Sequence, residues 1–275
     1  MPKGKSKFHG KTGLITGASS GLGKRLALDL AAQGMNLGLG SRSEHSLQET
    51  AAGVRRAGAG CLVVPTDVTD ARQCREMVSK VTGEFGALDY LILSAGLSMW
   101  TLFDQVRNVE IYRTLMEVNY LGAVHCIHPA LPALKKQHGM IVAISSVQGR
   151  VGVPFHSGYT ASKHALDGLL ETLRTELHGQ VRILNVMPGW IRSTRLRAHA
   201  LSADGSPLGS ASHRSRRERG VSVRECSRRI TGALPGPGGN LYIPKAMGFL
   251  PLVKLLFPSL LRAGVRRAVR KQTKG

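Results

Sequence analysis

The chain has 275 residues, of which 42% are hydrophobic and 20% charged, so it is long enough for a globular domain and too apolar to be disordered. Aromatic residues make up only 5% of the chain, which disfavours a surface that stacks nucleic-acid bases. The net charge of +21 is concentrated in residues 192–275, which carry 18 Lys and Arg against 3 Asp and Glu and would attract nucleic acid, anionic lipid or a phosphorylated substrate.

Short apolar segments alternate with amphipathic ones before Pro188. The apolar segments predict strands at 14–16, 36–40, 61–64, 88–93, 140–145 and 181–186. The segments between them predict helices at 22–33, 44–57, 71–85, 110–134 and 159–177. The strands are apolar throughout, which is typical of a parallel sheet covered on both faces. We therefore expect an α/β fold, a doubly wound parallel sheet of the Rossmann type, in a single domain.

The regular pattern ends after Pro188. Residues 202–220 are polar and rich in Ser, Gly and Arg, and residues 235–239 predict a loop. Residues 247–261 are apolar but interrupted by Pro and Lys, and residues 262–274 form a basic tail. The expected organisation is a cofactor-binding and catalytic domain at 1–240, with a substrate loop at about 195–240, followed by an extension at 241–275.

The four cysteines are scattered without the spacing of a zinc ribbon, so no metal site is expected and a reducing compartment is favoured. No signal peptide of the usual form and no uninterrupted apolar span is evident. These patterns predict a cytoplasmic protein, or one held peripherally on the cytoplasmic face of a membrane.

A glycine-rich turn joins the first predicted strand to the first helix. Glycines there allow a tight turn and the close approach of a pyrophosphate, and the helix N-terminus offers free N–H groups to the phosphates. Since the turn opens a series of strand–helix units, a dinucleotide site is favoured over a plain connection. The candidate cofactor residues in it are Gly17, Ser19, Ser20, Gly21, Leu22 and Gly23.

The end of the second strand distinguishes the two nicotinamide cofactors, because an acid there binds a ribose hydroxyl and an arginine can bind a 2′-phosphate. Here Arg42 stands between two serines with no acid before Glu44, so NADP(H) is preferred and NAD(H) is left open. Asp67, after the third strand, is a candidate for the adenine end or a helix cap, and the two roles could coexist.

Tyr159 and Lys163 are four residues apart on a predicted helix, so their side chains share one face. A nearby ammonium lowers the pKa of a phenol, which can then exchange a proton with a carbonyl or alcohol oxygen. Ser146 ends the fifth strand, on the side that faces the cofactor crevice, and can hydrogen-bond the substrate oxygen. The three residues predict acid–base chemistry on an alcohol or ketone.

The glycine turn, Ser146, Tyr159, Lys163 and the later Pro188-Gly189 together resemble the short-chain dehydrogenase/reductase superfamily over about residues 10–195. The resemblance implies that Asn119 is the fourth catalytic residue, holding a water linked to the lysine. Ser94 stands where the family has Asn, within the motif after the fourth strand. The further cofactor residues that the resemblance implies are Val68, Ser94, Ala95, Gly96, Tyr159, Lys163, Pro188, Gly189, Ile191 and Ser193.

A closer similarity over residues 138–146, 161–166 and 203–206 is to the group of 11β-hydroxysteroid dehydrogenases and dehydrogenase/reductase member 7. It implies hydride transfer between NADP(H) and a secondary alcohol or ketone that is lipid-like or steroid-like. It also implies a homodimer or homotetramer. A different class of function is a non-catalytic nucleotide sensor on the same fold, which has no need of all four catalytic residues. Nucleic-acid binding by the basic third is disfavoured.

The apolar and then basic segment at 247–275 has three alternatives. It is too short and interrupted to span a bilayer, but it can lie on an anionic membrane surface. It can instead pack over the substrate pocket or against a second subunit, with its tail solvated. Met99 and Trp100, after the fourth strand, line the substrate mouth or belong to the core.

Overall fold

The computed structural model describes residues 7–192, 194, 196–209 and 220–273, with side chains up to Val269. Its strands are β1 (Thr12–Thr16), β2 (Asn36–Ser41), β3 (Cys61–Pro65), β4 (Tyr90–Leu93), β5 (Met140–Ile144), β6 (Arg182–Pro188), β7 (Ile191–Arg192), β8 (Val221–Ser222) and β9 (Gly239–Ile243). Its helices are α1 (Gly21–Ala31), α2 (Glu44–Arg56), α3 (Ala71–Phe85), α4 (Glu110–Met116), α5 (Gly122–Lys136), α6 (Ser157–Glu176), α7 (Val223–Ala233), α8 (Leu250–Leu256) and α9 (Pro258–Thr273). Predicted and observed elements agree closely as far as Pro188.

Within the described residues, the main sheet has seven parallel strands in the order β3-β2-β1-β4-β5-β6-β9. Strand order reverses between β1 and β4, as in a doubly wound fold. Apolar residues of α1, α2 and α7 pack on one face, and those of α3, α5 and α6 pack on the other. Both faces are therefore buried, which explains the continuously apolar strands and confirms the predicted Rossmann-type fold.

The sequence reading missed α7 and β9. Helix α7 follows a polar, Arg-rich stretch and carries three arginines of its own, which obscures its apolar stripe of Val223, Cys226 and Ile230 in the sequence. On its buried face the Ser227 hydroxyl donates to Asp29 of α1 at 2.6 Å. Gly239, assigned to a loop, is the first residue of β9. Because β9 pairs with β6 on both sides of residue 240, the sheet of the domain extends to Ile243. Of the described residues in the predicted substrate loop, those that line the cavity lie within 196–200.

The long helix predicted at 110–134 is divided. A π-helical turn at Glu117–Leu121 separates α4 from α5, and α5 continues to Lys136 despite two internal prolines. Such turns are rare and occur frequently at functional sites. This one places Asn119 in the protein interior, 2% exposed.

The C-terminal extension contains α8 and α9, and α9 includes residues 262–273 of the segment predicted as a basic tail. Phe249 and Leu255 are 68% and 77% exposed, so the apolar part packs only partly on the domain. Lys254 donates to the carbonyl oxygen of Arg150 at 2.8 Å, which ties α8 to the domain. No helix in the part of the chain that the structure describes is both long and apolar enough to cross a bilayer.

Candidate active site

A cavity of about 1320 Å³ opens at the carboxyl ends of β1 and β4, where the strand order reverses. In doubly wound sheets, ligands bind in the crevice at this point. The cavity exceeds the volume of a typical small-molecule pocket, so it can hold a dinucleotide together with a substrate. Thr16, at the end of β1, accepts hydrogen bonds from the N–H groups of Ser94 and Ala95 at 3.1 and 3.2 Å. It thereby joins the end of β1 to the loop after β4, which borders the cavity.

The glycine turn fits the close approach of a phosphate chain. Gly17 has a φ of +65°, and a Cβ there would lie 2.8 Å from the backbone nitrogen of Ala95. A Cβ on Gly23 would collide with the carbonyl oxygen of Gly17. Gly21, at a φ of +54°, has open space where its Cβ would be. Side chains at these positions would strain the turn or fill the space above it.

The N-terminus of α1 faces this turn without a competing cap. Ser20 occupies the N-cap position but makes no side-chain cap hydrogen bond, and the first turn contains no acidic residue. The unpaired backbone N–H groups and the positive end of the helix dipole are thus available to an anion. Together with the glycines, they form a cradle that matches the pyrophosphate of a dinucleotide.

At the end of β2 the cavity is lined by cationic and hydroxyl groups. Arg42 is exposed there and forms no ion pair among the described residues, whereas Lys24 contacts Glu49 at 3.3 Å. The Ser41 hydroxyl is buried without a hydrogen-bond partner in the same described region. These groups could hold a phosphate on a ribose.

Asp67 lines the cavity beyond Arg42, but it is not the cap of the next helix. Its carboxylate accepts from the N–H and the hydroxyl of Thr69 at 3.0 and 2.9 Å. The N-cap of α3 is Asp70, which accepts from the N–H groups of Arg72 and Gln73. The alternative role predicted for Asp67, as a helix cap, is therefore wrong.

Tyr159 and Lys163 lie one turn apart near the start of α6 and are both buried. The Lys163 Nζ lies 5.7 Å from the centre of the Tyr159 ring and donates to the carbonyl oxygen of Ile144 at 3.1 Å. A Cβ on Gly96 would approach this Nζ to 3.9 Å, so the loop after β4 passes close to the pair. Both side chains reach the cavity, as the helical spacing predicted.

Asn119 lies in the π-helical turn next to this pair. Its amide nitrogen donates to the carbonyl oxygen of Leu97 at 2.8 Å and to the Ser162 hydroxyl at 2.9 Å, and its oxygen accepts from the N–H of Leu97 at 2.9 Å. It thereby links the π-helical turn, the loop after β4 and α6. A void of about 10 Å³ borders Asn119 and Lys163, about the space of one water molecule.

Burial dominates the ionisation of both groups. It raises the pKa of Tyr159 to about 12, and the Ser146 hydroxyl only partly offsets this by stabilising the phenolate. Burial also lowers the pKa of Lys163 to about 8. The predicted lowering of the tyrosine pKa by the ammonium is therefore not found. Tyr159 holds its proton across the neutral range, as a proton donor to a carbonyl must.

Ser146 lies beyond the end of β5 and borders the cavity. Its oxygen accepts a hydrogen bond from the N–H of Gln148 at 3.1 Å. Its single proton can go to the oxygen of Tyr159, whose pKa a hydrogen bond from Ser146 lowers, or to an acceptor in the cavity. Ser146 can therefore donate to a substrate oxygen that lies beside Tyr159.

Aromatic side chains form the cavity wall beyond Tyr159. The ring of Trp100 stacks on Phe155 at 4.9 Å between centres and meets the edge of His156 at 5.1 Å. The His156 ring lies 6.1 Å from that of Tyr159. Met99 also lines the cavity, and its sulfur accepts from the N–H of Gly158 at 3.1 Å. This wall is suited to a flat, apolar substrate.

The structure brings the other predicted residues to the same cavity, except Ser193, which lies outside the described residues. Among the cavity residues that are not marked in the sequence analysis are Lys24, His156, Trp190 and Arg197. Lys24 follows the glycine turn and could have been inferred from it. The other three have no motif to mark them. The cavity is lined by Gly17, Ser19, Ser20, Gly21, Leu22, Gly23, Arg42, Asp67, Val68, Ser94, Ala95, Gly96, Ser146, Tyr159, Lys163, Pro188, Gly189 and Ile191.

Comparison with known proteins decides the family. The family model described as short chain dehydrogenase matches residues 11–204, most of the chain. The chain belongs to this family. It is thus an oxidoreductase that uses a nicotinamide cofactor and acts on CH–OH groups, and the alternative of a non-catalytic sensor is not favoured.

Two curated relatives are named as hydroxysteroid dehydrogenases. The chain is 35% identical over 256 residues to 11-beta-hydroxysteroid dehydrogenase A of Arachis hypogaea, an alignment covering 92% of this chain and 73% of that protein. It is 37% identical over 199 residues to 11-beta-hydroxysteroid dehydrogenase 1A of Arabidopsis thaliana, covering 72% of this chain and 57% of that protein. The similarity predicted to the 11β-hydroxysteroid dehydrogenase group is confirmed.

Solved dehydrogenase structures share the fold and contain either cofactor. A short chain dehydrogenase from Burkholderia cenocepacia in complex with NADP has a TM-score of 0.77 at 26% identity, covering 94% of this chain and 98% of that one. A short chain dehydrogenase/reductase from Burkholderia phymatum in complex with NAD has a TM-score of 0.78 at 27% identity, covering 92% and 95%. They support a nicotinamide cofactor without distinguishing its two forms.

Proposed function

We propose that this protein interconverts a secondary alcohol and a ketone of lipid-like or steroid-like shape, with NADP(H) as the preferred cofactor. The observation that supports this best is the buried Tyr159–Lys163 pair at the junction of the glycine cradle and an aromatic-walled cavity. The names of the hydroxysteroid dehydrogenase relatives support the substrate class.

The four predicted catalytic residues have distinct tasks in this proposal. When bound, the nicotinamide supplies or accepts the hydride. Tyr159 donates its proton to the carbonyl oxygen in reduction and accepts one from the alcohol in oxidation. Ser146 donates a hydrogen bond to the same oxygen and stabilises its developing negative charge. Lys163 binds the ribose hydroxyls, while Asn119 acts as a positioning residue behind it.

The preference for NADP(H) rests on the charges at the end of β2. Arg42 and Lys24 border the cavity there, and the hydroxyl of Ser41 lacks a partner among the described residues. An arginine can bind a phosphate through two parallel hydrogen bonds. The first residues after β2 include no acid that would select a ribose hydroxyl.

The C-terminal extension attaches the protein to the surface of an anionic bilayer on its cytoplasmic face. None of the described residues after Ala200 lines the cavity, which disfavours the pocket-covering alternative. Phe249, Leu252 and Leu255 expose more than half of their surface, and Arg262 and Arg266 follow, also exposed. Apolar side chains with adjacent basic residues are suited to an anionic interface. We also propose a homodimer or homotetramer, on the family resemblance alone.

A panel of ketones tests the proposed reaction. The purified protein is mixed with NADPH or NADH and one ketone at a time, and nicotinamide absorbance is followed. We expect turnover of rigid polycyclic ketones with NADPH, exceeding that of short aliphatic ketones and that with NADH. Turnover confined to short ketones would overturn the substrate class, and faster turnover with NADH would overturn the cofactor preference.

A further inference from the structure

Arg197 is held at the substrate end of the cavity by a loop anchored to the domain. Leu201 donates its N–H to the carbonyl oxygen of Ser98, and Trp100 donates its N–H to the carbonyl oxygen of Leu201, both at 2.9 Å. The loop therefore pairs with the segment that carries the aromatic wall. This pairing fixes the backbone four residues beyond Arg197.

The guanidinium of Arg197 lies between two tryptophans. It is 4.2 Å from the ring centre of Trp100 and 5.8 Å from that of Trp190, within the range of a cation–π contact. Both tryptophans line the cavity. Trp100 itself packs against Phe155 and His156, and His156 packs near Tyr159. The guanidinium therefore has a fixed binding position, here called its seat, beside the aromatic wall of the cavity.

The positive charge at this seat has no counter-ion among the residues that the structure describes. The Nε of Arg197 is buried and, within the same residues, has no hydrogen-bond partner. Burial lowers the pKa of Arg197, so the charged form is partly desolvated. Charged groups removed from water are usually paired.

Carboxylates border the cavity only away from Arg197. Among the described lining residues these are Glu49, Asp67 and Glu117, and none is within ion-pair distance of its guanidinium. Glu49 contacts Lys24, and Asp67 is occupied by Thr69. The substrate end is thus electropositive and apolar at once.

We propose that Arg197 binds an oxoanion of the substrate, a carboxylate or a sulfate, while the carbonyl or alcohol carbon lies at Tyr159. The inference rests on the proposed function and narrows it to substrates with an apolar body and one acidic group. The planar guanidinium can pair with either oxoanion through two hydrogen bonds, and its seat on Trp100 fixes the direction.

Matched substrates separate the contribution of the anion from that of the apolar body. Dehydrolithocholic acid is compared with its methyl ester, and dehydroepiandrosterone sulfate with dehydroepiandrosterone, for wild type, Arg197→Gln and Arg197→Lys. Arg107→Gln serves as the control, because Arg107 is exposed and pairs with Asp204 outside the cavity lining. The acid pair and the sulfate pair distinguish the two oxoanions.

We expect Arg197→Gln to lower kcat/KM for the preferred anionic ketone about 10–100-fold and to leave its neutral partner nearly unchanged. Arg197→Lys should retain part of the preference, since the charge remains but the planar fork is lost. The dissociation constant of NADPH should not change. Equal losses on anionic and neutral substrates, no preference for the anion in wild type, or weaker NADPH binding would each overturn the inference.

Binding is measured independently of turnover through tryptophan fluorescence. The chain has two tryptophans, and both contact the guanidinium, so an anion that pairs with Arg197 should change their emission. We expect a saturable change with the anionic ligand that is lost in Arg197→Gln. A fluorescence change without any turnover would support the anion subsite and contradict the proposed reaction. Turnover of neutral ketones without a fluorescence change from the anionic ligand would support the reaction and overturn the subsite.

Discussion

The Nζ of Lys163 lies 5.7 Å from the ring centre of Tyr159, and both side chains are buried at the start of α6. Burial disfavours the charged form of each, so the pKa of the phenol is raised and that of the ammonium is lowered. The pair is therefore least costly to bury when both groups are neutral. Because both pKa values differ between the folded and unfolded chain, the free energy of unfolding depends on pH. That dependence tests whether the two side chains are buried as the structure shows.

Replacing Lys163 with Met should remove a rise in the free energy of unfolding at alkaline pH. The pKa of Lys163 is about 8 in the folded protein and 10.5 in its ordinary state, so the unfolded chain binds more protons between these values. Lys163 therefore adds stability to wild type as pH rises through this window, on the order of 3 kcal/mol. Urea unfolding at the two ends of the window measures it.

The control for that experiment is Lys245→Met, because Lys245 is an exposed lysine outside the cavity lining. The free energy of unfolding of Lys245→Met should follow that of wild type at both pH values, whereas the gap between wild type and Lys163→Met should shift in favour of wild type as pH rises. Tyr159, Cys61 and Cys226, whose pKa values burial raises, oppose this change, but they titrate alike in all three proteins and cancel in the comparison. An unchanged gap would mean that Lys163 is not desolvated by the fold.

Arg42→Asp should weaken NADPH binding and improve NADH binding relative to wild type. A carboxylate repels the 2′-phosphate and can accept a hydrogen bond from a 2′-hydroxyl. Hydrogen bonds to charged groups contribute roughly 1.5–3 kcal/mol, so the dissociation constant for NADPH should rise about 10–100-fold. Fluorescence titration of both cofactors measures the change, with the exposed Arg72→Gln in α3 as control. A wild type that already prefers NADH would refute the role given to Arg42.

Deleting residues 246–275 should abolish sedimentation with phosphatidylserine vesicles while retaining turnover of a small water-soluble ketone. The removed segment carries the exposed apolar side chains and the basic residues beyond them. A second variant, with Leu252 and Leu255 changed to Ser, tests the same surface without truncation. If the full chain fails to sediment at low salt, membrane attachment is wrong. If the variants change only the mass in solution, the surface binds a second copy.

The first 190 residues show how far sequence patterns predict this fold. The apolar segments predict the strands, and the spacing from Tyr159 to Lys163 predicts that both side chains lie on one face of a helix. The structure contains both features because they depend on local sequence alone. The failures have physical causes. Helix α7 has an apolar stripe, but three arginines in the helix and the polar residues before it obscure that stripe in the sequence. Strand β9 begins at a glycine and has no strong local strand signal. It forms because it pairs with β6, a contact that the local sequence does not show.

The sequence motifs predicted which residues form the site, but they did not predict how deeply those residues are buried or what surrounds them. The phenol and the ammonium were expected to interact mainly with each other, but their burial dominates, and burial comes from the tertiary packing around α6. Arg197 has no motif to mark it, because its role depends on Trp100, which is distant in the chain, as well as on the nearby Trp190. The spacing of residues along the chain does not predict long-range contacts of this kind.

The most direct test of the account is the single-turnover rate of Tyr159→Phe beside wild type, with saturating NADPH and a polycyclic ketone. The substitution keeps the ring and removes the proton donor, so NADPH should bind with wild-type affinity while the rate falls by about 10²–10⁴-fold. Asn119 and Lys163 remain in place, which separates proton donation from positioning. A variant within a few-fold of the wild-type rate would show that Tyr159 is not the acid, and the proposed mechanism would then be wrong.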